Sequence, residues 1–219
     1  MNSELIITKD GSHTLYIKEL DEYYHSHFGA ISESRHVFIE AGLKAVNKNM
    51  ISIFEMGFGT GLNAFLTLAE NMGTGKTIHY SCIEKYPLDK NTYLSLNYSS
   101  HCPDIDREYF IRLHESSWHE DSIISDDFIL NKTRADISGF DFQRQFDLVY
   151  FDAFGPDKQP ELWTTEIFSS IYRNMRTGAI LTTYSSKGQI RRNMEKAGFR
   201  VEKLGGPPGK WDMTRAWKD

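Results

Sequence analysis

Three glycines at alternate positions, Gly57, Gly59 and Gly61, stand in the run Glu55-Met56-Gly57-Phe58-Gly59-Thr60-Gly61-Leu62-Asn63. Glycines so placed let the backbone turn tightly and approach a ligand closely. The spacing is Gly-x-Gly-x-Gly, not the Gly-x-Gly-x-x-Gly of a dinucleotide turn, and no Lys-Ser/Thr follows as in a P-loop. Glu55, two residues before the first glycine, is poorly suited to a pyrophosphate and well suited to an ammonium. The amino-acid end of S-adenosylmethionine offers an ammonium to the acid and a carboxylate to helix-end amides. On this motif alone, a turn that only packs a helix on a sheet remains an alternative.

Further acids stand where strands should end. Glu84 closes a β-rich run, where an acid can accept both ribose hydroxyls of a nucleoside. Asp136 closes another, where a carboxylate can accept an adenine amino group or simply serve a turn. The apolar run Phe146-Asp147-Leu148-Val149-Tyr150-Phe151 delivers Asp152 to Ala153-Phe154-Gly155-Pro156, at the ligand edge of a sheet. Methyl transfer from a sulfonium to an amine needs a neutral amine, although a free alkylamine has a pKa of roughly 10. A carboxylate at Asp152 can orient the attacking N–H and take the released proton, provided desolvation lowers the amine's pKa. Phe154, Trp163 and Tyr184 are candidates for a dry wall or a face on which a base stacks, and each alone also suits ordinary core.

The elements that must position these residues alternate strand and helix. Strands are expected over 51–54, 78–83, 128–136, 146–151, 179–184, 201–204 and 213–217, with helices over 62–71, 88–98, 163–176 and 189–197. That alternation gives an α/β, Rossmann-like, doubly wound and mostly parallel seven-stranded sheet, with ligands beyond the carboxyl ends of its strands. Residues 1–48 read as an N-terminal β-hairpin and helix extension, and 49–219 as the S-adenosylmethionine-dependent methyltransferase domain. The hairpin turns at Asp10-Gly11, and the helix, capped around Ser32, runs to about Val46 with Val37, Phe38 and Ala41 on one face.

The chain has 219 residues and a net charge of −5. From Lys187 onward nine Lys/Arg face four acids, a local +5 that leaves −10 on the first 186 residues. Lys187, Arg191, Arg192 and Lys210 therefore form the candidate surface for a polyanion, unless they are only a solvated rim. His25, His27 and His36 show no regular ligand spacing, so no metal is expected. His114 and His119 suit surface or cap roles. Cys82 and Cys102 form no close pair, the first five residues lack a signal-peptide pattern, and no apolar run spans a membrane, which together fit a cytoplasmic chain.

In order along the chain, Ser32 to Phe38, Glu55 to Asn63, Glu84 to Leu88, Asp152 to Pro156, Pro160 to Trp163, Tyr184 to Gly188 with Arg191-Arg192, and Gly206 to Lys210 resemble a known family. It is the methyltransferase domain of the bacterial bifunctional enzyme completing 5-methylaminomethyl-2-thiouridine at the tRNA wobble position, with its stand-alone relatives. The resemblance implies S-adenosylmethionine against Glu55, Gly57, Phe58, Gly59, Thr60, Gly61, Asn63, Glu84, Lys85, Asp136 and Asp152. It implies Asp152 at the acceptor amine of 5-aminomethyl-uridine in a tRNA anticodon. The bifunctional enzyme continues into a flavin-dependent oxidase domain, whose fingerprint is lacking here, so a separate enzyme is expected to supply the aminomethyl group. Methylation of a small-molecule or protein amine, and a non-catalytic S-adenosylmethionine- or RNA-binding module, are the alternatives.

Overall fold

The computed structural model describes residues 3–219; Met1 and Asn2, where the leader reading and the N-terminal extension begin, lie outside the described residues. Strands β1 (Ser3–Ile7) and β2 (His13–Ile17) form the expected hairpin, and β3 (Glu22–Tyr23) adds a third antiparallel strand. Asp10 does more than turn the chain. Its Oδ2 accepts from the backbone N–H and hydroxyl of Ser32, at 2.9 and 2.8 Å. Ser32 is therefore inside helix α1 (Ala30–Ser34) and is no cap.

The helix then widens over Arg35–Glu40 into π geometry, with the Ala41 N–H reaching the carbonyl of His36, 3.2 Å away. Three successive apolar residues, Val37, Phe38 and Ile39, are all buried here. All three belong to one core, which Ala30 and Ile31 of α1 also join.

The main sheet is built from β4 (Met50–Met56), β5 (Thr77–Glu84), β6 (Asp121–Ser125), β7 (Phe128–Arg134), β8 (Phe146–Phe151), β9 (Met175–Thr183), β10 (Arg200–Gly205) and β11 (Asp212–Trp217). Their spatial order is β10-β11-β9-β8-β4-β5-β7-β6, eight strands where seven were expected. The extra strand, β6, lies antiparallel on the outer edge of β7. Its two polar flanks and exposed Ile123 give little apolar alternation to read. The parallel strands β4, β5, β7, β8 and β9 run β7-β5-β4-β8-β9, so the order reverses between β4 and β8. A crevice opens at such a switch point beyond the carboxyl ends of the strands.

Helices α2 (Leu62–Asn71), α3 (Lys90–Leu94), α4 (Arg107–Glu115), α5 (Thr165–Arg173) and α6 (Gly188–Ala197) complete the layers. One core joins Val37, Phe38, Phe65 and Phe110 to Tyr80 and Tyr150 on one side of the sheet. A second joins Trp163, Phe168, Ile190 and Met194 to Phe151 and Leu181. Leu15 of β2 belongs to the first core, so the N-terminal extension and the sheet share buried surface.

Two helices are shorter than expected. Asp89 caps α3 by accepting from the Thr92 N–H, and the helix stops at Leu94, although Leu96 and Tyr98 beyond it are buried. The stretch expected as one helix over 163–176 is a 3₁₀ turn at Pro160–Trp163, then α5 with Thr164 as its cap, then the start of β9. Helix α4 escaped the sequence reading because only Phe110 and Leu113 on it are fully buried.

Candidate active site

The strand β4 ends at Met56, and the chain turns through Gly57, Gly59 and Gly61 with φ of +87°, +51° and +72° before α2 begins. All three lie in the left-handed region that side chains disfavour. The N–H groups of Gly57 and Phe58 both donate to the Ile83 carbonyl, at 3.1 and 3.0 Å, pinning the loop to the end of β5. A Cβ on Gly57 would sit 3.3 Å from the Asp152 carbonyl oxygen, which shows how closely the two arms of the switch point approach.

A cavity of about 640 Å³ opens at this point. Gly57, Phe58, Gly59, Thr60, Asn63, Glu84, Lys85, Asp136 and Asp152 all line it, together with Phe154. Glu84 holds the loop as well as facing the cavity: its Oε2 accepts from the Gly59 N–H at 2.9 Å and its Oε1 from the Tyr86 N–H at 2.8 Å. Asp136, two residues past β7, accepts from the Ser138 N–H and from Lys85 Nζ, 2.8 Å away. The Lys85 hydrogen bond, with that of Ser138, keeps its carboxyl below the ordinary carboxylate range.

Glu55 and Gly61 do not reach the cavity surface. The Glu55 side chain lies behind the wall, and its Oε1 accepts from Asn63 Nδ2 at 2.9 Å. Burial raises its carboxyl well above the usual range, against the hydrogen bond from Asn63. Glu55 thus supports Asn63 through Oε1, while its Oε2 has no hydrogen-bond partner. The same Asn63 nitrogen donates to Asp152 Oδ2 at 2.8 Å, and Asp152 does face the cavity. Protein encloses Asp152 on the sides away from the cavity, and this burial pushes its carboxyl up to about 7, opposed by the Asn63 hydrogen bond.

Beneath the loop lies a set of contacts with no local sequence signal. Tyr24 and His25, from the N-terminal extension, line the same cavity. His25 Nε2 is 2.8 Å from the Thr60 hydroxyl, and burial lowers the imidazole pKa to about 4. His114, expected at the surface or a cap, instead donates from Nε2 to the Thr60 carbonyl at 3.1 Å. Buried Lys132 donates to the carbonyls of Leu113 and His114 at 2.8 and 2.7 Å, closing the end of α4 that carries this histidine. His36 Nε2 is bonded to the Gly205 carbonyl, and the His27 ring packs on Phe28.

A second cavity, of about 610 Å³, adjoins the first and shares Tyr24, His25, Ala153 and Phe154 with it. Tyr184, Lys187 and Lys210 line it. Tyr184 donates its hydroxyl to the Ala153 carbonyl at 2.8 Å, and Lys210 lies 4.0 Å from the centre of the Tyr184 ring. Phe154 meets Tyr24 edge-on, ring centres 5.0 Å apart, where the two cavities join. Trp163 reaches neither cavity. It is a core residue packed on Phe151 and Phe168, and its indole N–H donates to the Phe154 carbonyl at 2.8 Å, so it shapes the wall from behind. Arg191 and Arg192, in the N-terminal half of α6, also lie outside both linings.

A reversed-order parallel sheet, a glycine turn after its first strand and acids after the next three define a protein built to hold a nucleoside with an amino-acid end. A family model described as S-adenosyl-L-methionine-dependent methyltransferase matches residues 108–219. The chain belongs to this family, and S-adenosylmethionine is its cofactor. It is 28% identical over 218 residues to the tRNA 5-methylaminomethyl-2-thiouridine biosynthesis bifunctional protein MnmC of Pseudomonas fluorescens, covering 89% of this chain and 32% of that protein. The protein of the same name from Aeromonas salmonicida is 30% identical over 224 residues, with the same coverage. The chain thus spans about a third of the length of these relatives. The crystal structure of MnmC2 from Aquifex aeolicus matches 99% of this chain and 70% of its own, with 27% identity and a TM-score of 0.80. Spermidine synthase from Thermotoga maritima shares the fold, at 13% identity and a TM-score of 0.57 over all of this chain and 72% of its own.

The residues present fit the cofactor. Gly57 and Gly59 bring backbone to the cavity wall, and Glu84, Asp136 and Asp152 offer carboxylates along it. Asn63 Oδ1 and Glu55 Oε2 are buried without a hydrogen-bond partner, polar capacity left unused beside the cavity wall. Among the described residues, no helix is long and apolar enough to cross a membrane.

Proposed function

We propose that this protein methylates the amine of 5-aminomethyl-(2-thio)uridine at the wobble position of tRNA, giving the 5-methylaminomethyl nucleoside. The observation that carries this is the place of Asp152. It lines the cofactor cavity, and the residues that follow it, Ala153 and Phe154, line both that cavity and its neighbour. The substrate comes from the names of the similar MnmC proteins.

S-adenosylmethionine, when bound, supplies a methyl group on a positively charged sulfur. The chain's residues have three tasks. Gly57, Phe58, Gly59, Thr60, Asn63, Glu84 and Asp136 would hold the cofactor. Tyr24 and Phe154 exclude water where the cavities meet, which favours the neutral form of an acceptor amine. Asp152, with a carboxyl of pKa about 7, orients the amine N–H and takes the proton that methylation makes acidic. An ordinary carboxylate is too weak a base to share a proton near neutrality, and burial corrects that mismatch.

Nucleoside analysis of tRNA from a deletion strain tests the reading in the cell. The expected result is loss of the final methyl group and accumulation of the aminomethyl nucleoside. Normal modification in a strain without a redundant enzyme contradicts it.

A further inference from the structure

We infer that Trp211 is a stacking platform for an unpaired nucleobase of the substrate RNA, at the mouth of the second cavity. This rests on the RNA reading above. Trp211 is 95% exposed, while Trp163 is buried in the core. It lines the second cavity with Tyr23, His27, Phe28, Lys187 and Lys210.

Its exposure does not come from a loose loop. The turn between β10 and β11 is closed by the Gly206 N–H donating to the Trp211 carbonyl at 3.0 Å and the Lys210 N–H to the Pro207 carbonyl at 2.9 Å. A Cβ on Gly206 would lie 2.5 Å from the Lys210 carbonyl oxygen, so the turn is tight. Gly209, at φ +84°, presses so closely on Phe28 that any side chain there would overlap the ring. Lys210 Nζ is clamped to buried Glu33 at 2.6 Å. The turn is therefore stapled to the N-terminal segment at two places, and it presents a large apolar ring to water.

The two lysines that line this cavity are already paired. Lys187 meets Asp157, and Lys210 meets Glu33. Neutralising phosphates at this mouth would mean breaking those pairs, whereas the ring faces are free for use. Aromatic faces stack unpaired bases with little regard to sequence, and single-stranded loops supply such bases. The occupant is a loop nucleotide next to the one that enters the cavity.

The test measures binding of an unmodified anticodon stem-loop RNA and steady-state methylation of substrate tRNA by wild type, Trp211→Ala and Trp211→Phe at saturating S-adenosylmethionine. Trp211→Ala should weaken RNA binding and raise the tRNA KM by about tenfold or more, with kcat and S-adenosylmethionine affinity unchanged. Trp211→Phe, which keeps a ring face, should retain most of the binding. Because the side chain is exposed, neither change should alter the melting temperature. Wild-type RNA binding and KM in Trp211→Ala, with the wild type active on tRNA, overturns the inference and leaves the proposed function standing. A wild type that neither binds RNA nor methylates tRNA overturns both.

Discussion

Asn63 and Asp152 are joined by a hydrogen bond of 2.8 Å, and the same Asn63 nitrogen is 2.9 Å from Glu55, so one amide ties the acid before the glycine turn to the acid after β8. Two carboxyl groups that would otherwise face each other are bridged by a neutral donor. Asn63→Ala leaves both short of a donor, and the expected cost is about 1–3 kcal/mol in unfolding free energy, read by urea denaturation. Its activity profile should also move to higher pH, because Asp152 loses the hydrogen bond that opposes its raised pKa. Unchanged stability and an unchanged profile would show that the bridge is incidental.

The pH dependence of catalysis follows from Asp152. With a pKa of about 7, the carboxyl is increasingly protonated below neutrality and cannot then accept the amine's proton, so single-turnover rates should fall as pH drops through 7. Stability runs the other way. The folded pKa lies above the ordinary value of 3.8, so the folded state holds this proton more tightly than the unfolded chain. The contribution is favourable at low pH and is lost as pH rises from about 3.8 to about 7. Asp152→Asn should flatten that loss, leaving the ligand-free protein relatively more stable at pH above 7. Asp152→Ala and Asp152→Asn should both reduce transfer by a factor of about 10² to 10⁴ if proton acceptance matters. Near-wild-type rates in both, at saturating tRNA and S-adenosylmethionine, remove Asp152 from the mechanism.

The cofactor cavity makes its own demands. Gly59→Val imposes a branched side chain at φ +51°, with the Tyr24 ring already 3.2 Å from where a Cβ would stand. Cofactor binding should be lost in a protein that still folds. Glu84→Ala should weaken S-adenosylmethionine by roughly 1.5–3 kcal/mol for the lost charged acceptor. It also frees the Gly59 N–H, so the loop should become more exposed to hydrogen exchange. Calorimetry showing unchanged affinity in either variant would misplace the cofactor.

Arg191 and Arg192 stand outside both cavities, so their part in docking can be separated from chemistry. Reversing both to Glu should raise the tRNA KM, leave S-adenosylmethionine affinity alone and flatten the salt dependence of RNA binding, because fewer counterions are released. Salt dependence identical to wild type would limit these arginines to a solvated helix face.

Strands β4, β5 and β8 were legible because each is a β-rich run that ends at or beside Gly57, Glu84 or Asp152, and the glycine turn because its spacing is local. What failed to read was set by distant partners. Nothing near Tyr24 or His25 announces that the N-terminal extension lines the first cavity. His114 looked like a surface residue because its acceptor, the Thr60 carbonyl, is 54 positions away in sequence. That Glu55 leans on Asn63 was not readable, because sequence alone does not say which wall of the turn an acid faces. Trp163 looked like a stacking face, although the core had already claimed it. Trp211 gave no periodic signal, since a lone tryptophan beside Gly-Lys has the same sequence whether it is exposed or buried.

The central claim is tested most directly by transfer of a labelled methyl group from S-adenosylmethionine to tRNA that lacks only the final methyl of the wobble nucleoside, followed by nucleoside digestion. The predicted result is label confined to the 5-methylaminomethyl nucleoside, abolished by ribonuclease treatment before the reaction and by Asp152→Ala. Label that persists on protein or a small amine after the RNA is removed, or S-adenosylmethionine binding with no transfer to this tRNA, would contradict it.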